Sequence, residues 1–253
     1  MASTIQPPHR TRLREHGLTF RSDAGDGRAV KIGRHVLAAL AFLVFVLLAG
    51  PAAYYGVRGW TLCEEALSEK SVDEMAAQVR SSVDFVETDE APDVFFDAVV
   101  AAEDRRFYSH RGVDPVACVR ALANDLKAGR IVEGGSTITQ QLAKNQFFSQ
   151  ERTLERKAAE MFMAFEIESR LSKKEILELY VNSIYYGDGH YGVSAACMGY
   201  FGKAPSEMDD AEAILLAGLP NAPSAYSPSV DPELAEQRKA QVEEKMRAYG
   251  FLG

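Results

Sequence analysis

Val94-Phe95-Phe96-Asp97-Ala98-Val99-Val100-Ala101-Ala102-Glu103-Asp104-Arg105-Arg106-Phe107-Tyr108-Ser109-His110-Arg111-Gly112-Val113-Asp114 is the stretch that decides the fold. Val94, Phe95, Ala98, Val99 and Ala102 recur at spacings of three and four, the period of a helix with a buried face. The apolar run then stops at a dense polar and aromatic segment that begins with Glu103. A carboxylate set against apolar residues is the type that transfers protons in catalysis. The plain alternative is an exposed acidic pair, Glu103 and Asp104, at a helix end, with His110 as a hydrogen-bonded structural residue.

Outward from this stretch the helical period continues. Helices are expected near 115–128, 136–146, 152–170, 173–182, 190–200 and 209–218, and Asp231-Pro232 opens a last one that ends by Gly250. Leu62 to Arg80 reads as a stalk or first helix, and Ser81 to Thr88 alternates as a short strand. No internal repeat interrupts the pattern, so a mainly α-helical domain is expected over residues 58–253.

Val36 to Val57 carries no charged side chain over 22 residues, and at about 1.5 Å per residue such a helix crosses the roughly 30 Å hydrocarbon core. Arg28, Lys31 and Arg34 precede it, and Tyr54, Tyr55 and Trp60 follow like an interfacial belt. Ala49-Gly50-Pro51 is a poor cleavage site, which favours an uncleaved single-pass signal-anchor in the bacterial plasma membrane, with residues 1–35 as a basic cytoplasmic tail and the rest extracytoplasmic. Residues 1–30, polar with scattered arginine and glycine, are expected to be disordered or apposed to lipid.

The 253 residues carry a net charge of −8, split as +4 over residues 1–35 and −12 beyond. That balance excludes a uniformly basic nucleic-acid binder, and any anionic ligand must be held by local cations. Cys63, Cys118 and Cys197 fit no zinc motif and read as small buried hydrophobes.

Two further islands break the periodic background. In Glu133-Gly134-Gly135-Ser136-Thr137-Ile138-Thr139-Gln140-Gln141-Leu142-Ala143-Lys144-Asn145, two glycines and a Ser cap place free N–H groups at a helix start, a site for an anion. Thr137, Gln141 and Lys144 share one face of that helix. It is not a Walker loop, and an ordinary capped surface helix is the alternative. In Arg152-Thr153-Leu154-Glu155-Arg156-Lys157-Ala158-Ala159-Glu160, the heads of Arg156, Lys157 and Glu160 converge on one face, as they also would in a solvated salt-bridge ladder. Two cation sources with two carboxylates suit displacement of an anionic leaving group by a deprotonated hydroxyl.

In this order the three islands resemble the motifs of the peptidoglycan glycosyltransferases, glycosyltransferase family 51, found alone or as the transglycosylase domain of class A penicillin-binding proteins. The resemblance runs from about 85 to 228 and includes Lys174-Glu175-Ile176-Leu177-Glu178-Leu179-Tyr180-Val181-Asn182, Tyr200-Phe201-Gly202-Lys203 and Leu219-Pro220-Asn221-Ala222-Pro223. It implies a lysozyme-like helical domain with a small membrane-proximal lobe. It further implies lipid II as substrate, polymerised into β-1,4-linked glycan with inversion and release of undecaprenyl pyrophosphate. Glu103 would be the general base, and Lys144 and Arg156 would hold the pyrophosphate. Ser136, Thr137, Gln141, Asn145 and Lys157 would line the groove. Glu160 would be a second catalytic carboxylate that orients a cation, and Asp104, Phe107, His110 and Asn182 would shape the site. Lipid II, the growing glycan and the membrane are the implied partners, with transpeptidases and division or elongation proteins as candidate ones and no nucleic acid. Phe147 or Phe148 could dip into the membrane interface.

No Ser-x-x-Lys occurs, so penicillin-binding transpeptidase chemistry is missing and a monofunctional enzyme is expected. No Asp-x-Asp or His cluster offers an all-protein metal cage. No tightly bound cofactor is expected, and Mg²⁺ or Mn²⁺, if used, would be shared with the substrate pyrophosphate. Two rivals stand: a membrane-anchored lysozyme-like muramidase or lytic transglycosylase, which has no need of Lys144, Arg156 and Lys157, and a non-catalytic cell-wall scaffold.

Overall fold

The computed structural model describes residues 26–129, 134–149 and 151–252. Most of the basic tail, and Glu133 of the second island, lie outside the described residues. The chain divides into two compact units, Met1–Pro51 and Ala52–Gly253. One helix, α1 (Asp26–Glu69), runs through both, with Pro51 inside it. Within the first unit its side chains from Leu37 to Leu48 are exposed, Phe42 and Phe45 among them. From Gly33 to Glu69 the helix is long and apolar enough to cross a membrane.

In the second unit the expected helix over Leu62–Arg80 is two helices. α1 stops at Glu69, and Ser71 opens α2 (Val72–Arg80) through a capping box with Glu74. Ser81 to Thr88 is not a strand: it is a turn and an extended connection that ends in a 3₁₀ turn, Thr88–Glu90. Its backbone is satisfied by a side chain instead of a partner strand, because Asn182 Oδ1 accepts from Val86 N–H and Asn182 Nδ2 donates to Val86 C=O, both at 2.8 Å.

The expected helices follow as α3 (Asp93–Glu103), α4 (Pro115–Ala128), α5 (Ile138–Phe147), α6 (Leu154–Arg170) and α7 (Lys173–Ser183). The start of the next one differs. Tyr185–Gly187 (β1) and His190–Tyr191 (β2) form a small antiparallel hairpin, and α8 (Val193–Phe201) begins only after it. Gly192 permits this entry with φ of +81°, and a Cβ there would lie 2.7 Å from the Asn182 carbonyl oxygen. The chain closes with α9 (Asp210–Gly218), the short α10 (Pro223–Tyr226) and α11 (Pro232–Tyr249), capped by left-handed Gly250.

Two helix groups share the core. α3 lies against α9 and α11, while α5 packs on α6 and α7. Phe95, Ala98, Val99 and Ala102 are buried as the period requires, and so are Phe96, Val100 and Ala101. The helix is wrapped on more than one face, which explains an apolar run denser than one stripe needs. Phe147 and Phe148 are half-buried against the core, with the Lys70 ammonium 5.2 Å from the Phe147 ring centre. Cys63 and Cys197 are buried as expected; Cys118 is exposed on α4, where its thiol reaches the Gly135 carbonyl at 3.6 Å.

Candidate functional site

The polar run after α3 ends the helix and ties it to α5. Asp104 leaves helical geometry, and its Oδ2 accepts the Ile138 N–H at 3.1 Å and sits 2.9 Å from His110 Nε2. The first N–H of α5 is thereby held by the residue next to Glu103. Arg106 grips Asp114 through two contacts, and Asp114 caps α4 by accepting from Ala117 N–H at 2.9 Å. The Arg106 hydrogen bond holds the Asp114 carboxyl down at about 2. Gly112 (φ +70°) completes the turn: a Cβ there would meet the Ala164 backbone at 3.0 Å, and its carbonyl accepts from Thr137 Oγ1 at 2.6 Å.

Glu103 therefore emerges at the C-terminal end of α3, facing α5. Its side chain is 6% exposed. Oε2 accepts from Gln141 Nε2 at 2.7 Å, and Gln141 Oε1 in turn accepts from the Tyr180 hydroxyl at 3.1 Å. Glu103 Oε1 is buried with no hydrogen-bond partner among the described residues, and the equally buried Arg238 Nη2 stands 4.0 Å away. A carboxylate oxygen buried without a hydrogen bond is costly, and it keeps a lone pair open to a donor from outside the chain.

A cavity of about 320 Å³ opens at Glu103, lined among others by Arg120, Ser136, Gln141, Lys144 and Arg238. A second, of about 530 Å³, is lined by Ser136, Gln141, Lys144, Arg156, Lys157 and Glu160. Ser136, Gln141 and Lys144 border both, so the two form one cleft with a carboxylate at each end. Glu160 is 2% exposed, and each of its oxygens faces a cation: Lys157 Nζ donates to Oε2 at 2.8 Å, and Arg156 Nε lies 3.0 Å from Oε1 as an ion pair without a hydrogen bond. Lys157 also donates to Ser136 Oγ at 2.7 Å. Burial pushes the Lys144 ammonium below its ordinary range; Glu160 works against that shift, and Arg156 and Lys157 add to it.

Of the expected site residues, the structure brings together Glu103, Gln141, Lys144, Ser136, Arg156, Lys157 and Glu160. Other expected site residues serve differently. Thr137, not Ser136, is the N-cap of α5; buried at 1% exposure and spent on Gly112 and Gln140, it does not line the groove. Phe107 is core, with Lys173 Nζ 4.3 Å from its ring centre. Asn182 braces Val86 and accordingly lies away from the cleft. Asp104 and His110 act through the backbone of α5 and border neither cavity. Asn145 is half-buried late in α5 and borders neither cavity. Among the described residues no group of three or more His, Cys, Asp or Glu could hold a metal ion.

Four basic residues that line the first cavity, Arg105, Arg120, Arg238 and Lys245, are not among the expected site residues. Arg238 did leave a signal: it shares the buried stripe of α11 with Ala235, Val242 and Met246, where an arginine needs a reason. Its Nε donates to the Gly218 carbonyl at 3.1 Å, and Lys245 Nζ donates to the Ala102 carbonyl at 2.8 Å.

A family profile described as Transglycosylase matches residues 69–247, the span that holds every cleft residue except Tyr249. The chain belongs to the transglycosylase family. Its mainly helical, lysozyme-like class is the one expected from the sequence. The chain is similar to penicillin-binding protein 1A of Aquifex aeolicus, 52% identical over 66% of this chain and 23% of that protein. It is also similar to the proteins of the same name from Neisseria flavescens, 47% identical over 67% and 21%, and Pseudomonas aeruginosa, 43% identical over 72% and 22%. This transglycosylase thus spans less than a quarter of the length of these curated relatives.

Proposed function

We propose that this transglycosylase polymerises lipid II into β-1,4-linked glycan at the cleft between Glu103 and Glu160. The observation that carries the proposal is the pairing, in one cleft, of a carboxylate oxygen without a hydrogen bond and a cluster of basic side chains. Glu103 Oε1 takes the proton of the acceptor's 4-hydroxyl, whose oxygen bonds to the donor's anomeric carbon from the face opposite the diphosphate. The bond from that carbon to the diphosphate oxygen breaks, undecaprenyl pyrophosphate departs, and the configuration inverts. Diphosphate is a good leaving group, so it needs charge neutralisation more than protonation. Lys144, Arg156 and Lys157 supply it, and Glu160 keeps the last two in place.

Glu160 has both oxygens engaged by cations, a poor vacancy for a metal. A divalent ion such as Mg²⁺ or Mn²⁺, where it takes part, would be held chiefly by the diphosphate, and no step above is routed through it. The apolar length of α1 supports a single membrane crossing with residues 1–35 in the cytoplasm and the cleft outside, where a lipid-linked substrate stays at high effective concentration. The absence of Ser-x-x-Lys supports glycosyl transfer without transpeptidation by these 253 residues. Glycan made here would pass to transpeptidases and to the division or elongation machinery.

A muramidase or lytic transglycosylase would protonate a glycosidic oxygen and leave the basic end of the cleft unused. Purified chain in detergent micelles with lipid II, with and without EDTA, tests the proposal by product length. Glycan growth is expected in both arms; cleavage of finished glycan without growth would favour the hydrolase.

A further inference from the structure

Two tyrosines buried close together hydrogen-bond in different ways. The Tyr186 hydroxyl donates to the Val181 carbonyl at 3.3 Å, the ordinary solution for a phenol in a core. Tyr180, equally buried, donates to a cleft side chain instead, Gln141 Oε1. Burial, and then the nearby Glu103 charge, push the Tyr180 phenol well above its usual range, so it remains a donor. The Gln141 amide has one oxygen and one NH₂ group, so an oxygen held by Tyr180 leaves the NH₂ turned toward Glu103 Oε2 at 2.7 Å. A reversed amide would set two oxygens against each other at that distance.

Resting on the proposed function above, we infer that Tyr180 is a positioning residue: through Gln141 it fixes the Glu103 carboxylate so that Oε2 is occupied and Oε1 alone faces the acceptor hydroxyl. A base aimed this way gains rate through orientation without any contact between Tyr180 and substrate. The substrate's own contacts, made by Lys144, Arg156 and Lys157, do not pass through the phenol.

The test combines kinetics with a readout that needs no activity. In lipid II polymerisation by the full chain, Tyr180→Phe should lower kcat about tenfold and leave KM within about twofold, the pattern of a contact that matters in the transition state. Gln141→Ala should lower it at least as far, and Tyr180→Phe/Gln141→Ala no further than Gln141→Ala, since the phenol acts through the amide. Independently, the Gln141 side-chain NH₂ signals in NMR, assigned by their loss in Gln141→Glu, should exchange with solvent about tenfold faster in Tyr180→Phe. If Tyr180→Phe does not fold, site-specific 3-fluorotyrosine, a stronger donor of similar shape, should slow that exchange. Multiplicative rate losses, a rise in KM with kcat unchanged, or unaltered amide exchange would overturn the inference. A parent chain that makes no glycan would sink the proposed function instead, and the amide exchange would still decide the role of Tyr180.

Discussion

Glu103 and Glu160 stand at opposite ends of one cleft, almost equally withdrawn from water, yet their partners differ. Glu160 is enclosed by Arg156 and Lys157, residues of its own helix four and three positions back, so local sequence alone brings the cations to it. Glu103 is met by Gln141 from α5 and by Arg238 from α11; neither Oε1 makes a hydrogen bond, but the cation nearest Glu103 Oε1 stands 4.0 Å off, against 3.0 Å at Glu160 Oε1. An ion-paired carboxylate is a brace, since its charge is already spent on holding cations; one with an open oxygen can still take a proton. On the proposed function the same residue type does two jobs, and the partners decide which.

Substitutions at the two ends should separate these jobs. The largest effect is expected for Glu103→Gln, which keeps the shape and removes the proton acceptor: polymerisation should fall about a thousandfold, within the range that general-base catalysis supplies. Next, Lys144→Ala should cost about a hundredfold in rate, as loss of one preorganised charge does, with Lys144→Arg recovering part of it. Because burial lowers the Lys144 pKa, donor binding in the parent should weaken on the alkaline side earlier than an exposed lysine would allow. Titration of donor affinity against pH checks this, and an alkaline limb at the ordinary lysine position would argue against a buried cation at the diphosphate.

Stability should move in opposite directions at the two ends. Glu160→Gln leaves Arg156 and Lys157 without their counter-charge and should destabilise the fold by about 2 kcal/mol. Glu103→Gln removes a buried charge with an unsatisfied oxygen and should leave the melting temperature unchanged or raise it. Thermal unfolding monitored by circular dichroism measures both, and equal losses would erase the distinction between brace and base.

The smallest expected effect concerns the scaffold beneath the Glu103 end. The Asp114 carboxyl, depressed to about 2, stabilises the fold fully above its unfolded value near 3.9 and loses that contribution as pH falls through about 2. Arg106→Ala should weaken this acid dependence, leaving the part due to the backbone N–H groups of Ala117 and Val116, and should lower stability at neutral pH. Acid unfolding curves of parent and variant compare directly.

How much of this was legible in the sequence follows the reach of each contact. Helices whose caps lie within three residues of the apolar period, such as Ser172 with Glu175 and Asp209 with Glu212, could be placed to within a few residues. The Arg156–Lys157–Glu160 cluster was equally visible, being local. The hairpin at Tyr185–Tyr191 is too short to carry a period, and the Ser81–Thr88 alternation has no partner strand, because Asn182 supplies the bonds a strand would give. Ser136 and Thr137 both suit an N-cap, and Gly112, brought alongside by the turn after α3, settles the choice for Thr137. Arg238 and Tyr180 reach Glu103 and Gln141 across long stretches of chain, so only the fold shows what they do.

One comparison bears most directly on the division of labour in the cleft: lipid II binding and lipid II turnover, measured side by side on the parent and on Glu103→Gln in bilayer nanodiscs. Binding within about twofold of the parent with turnover lost is expected, because the cations that hold the diphosphate are untouched while the proton acceptor is gone. A Glu103→Gln protein that still extends glycan, or one whose loss of turnover merely follows a loss of binding, would contradict the assignment of Glu103 as the base.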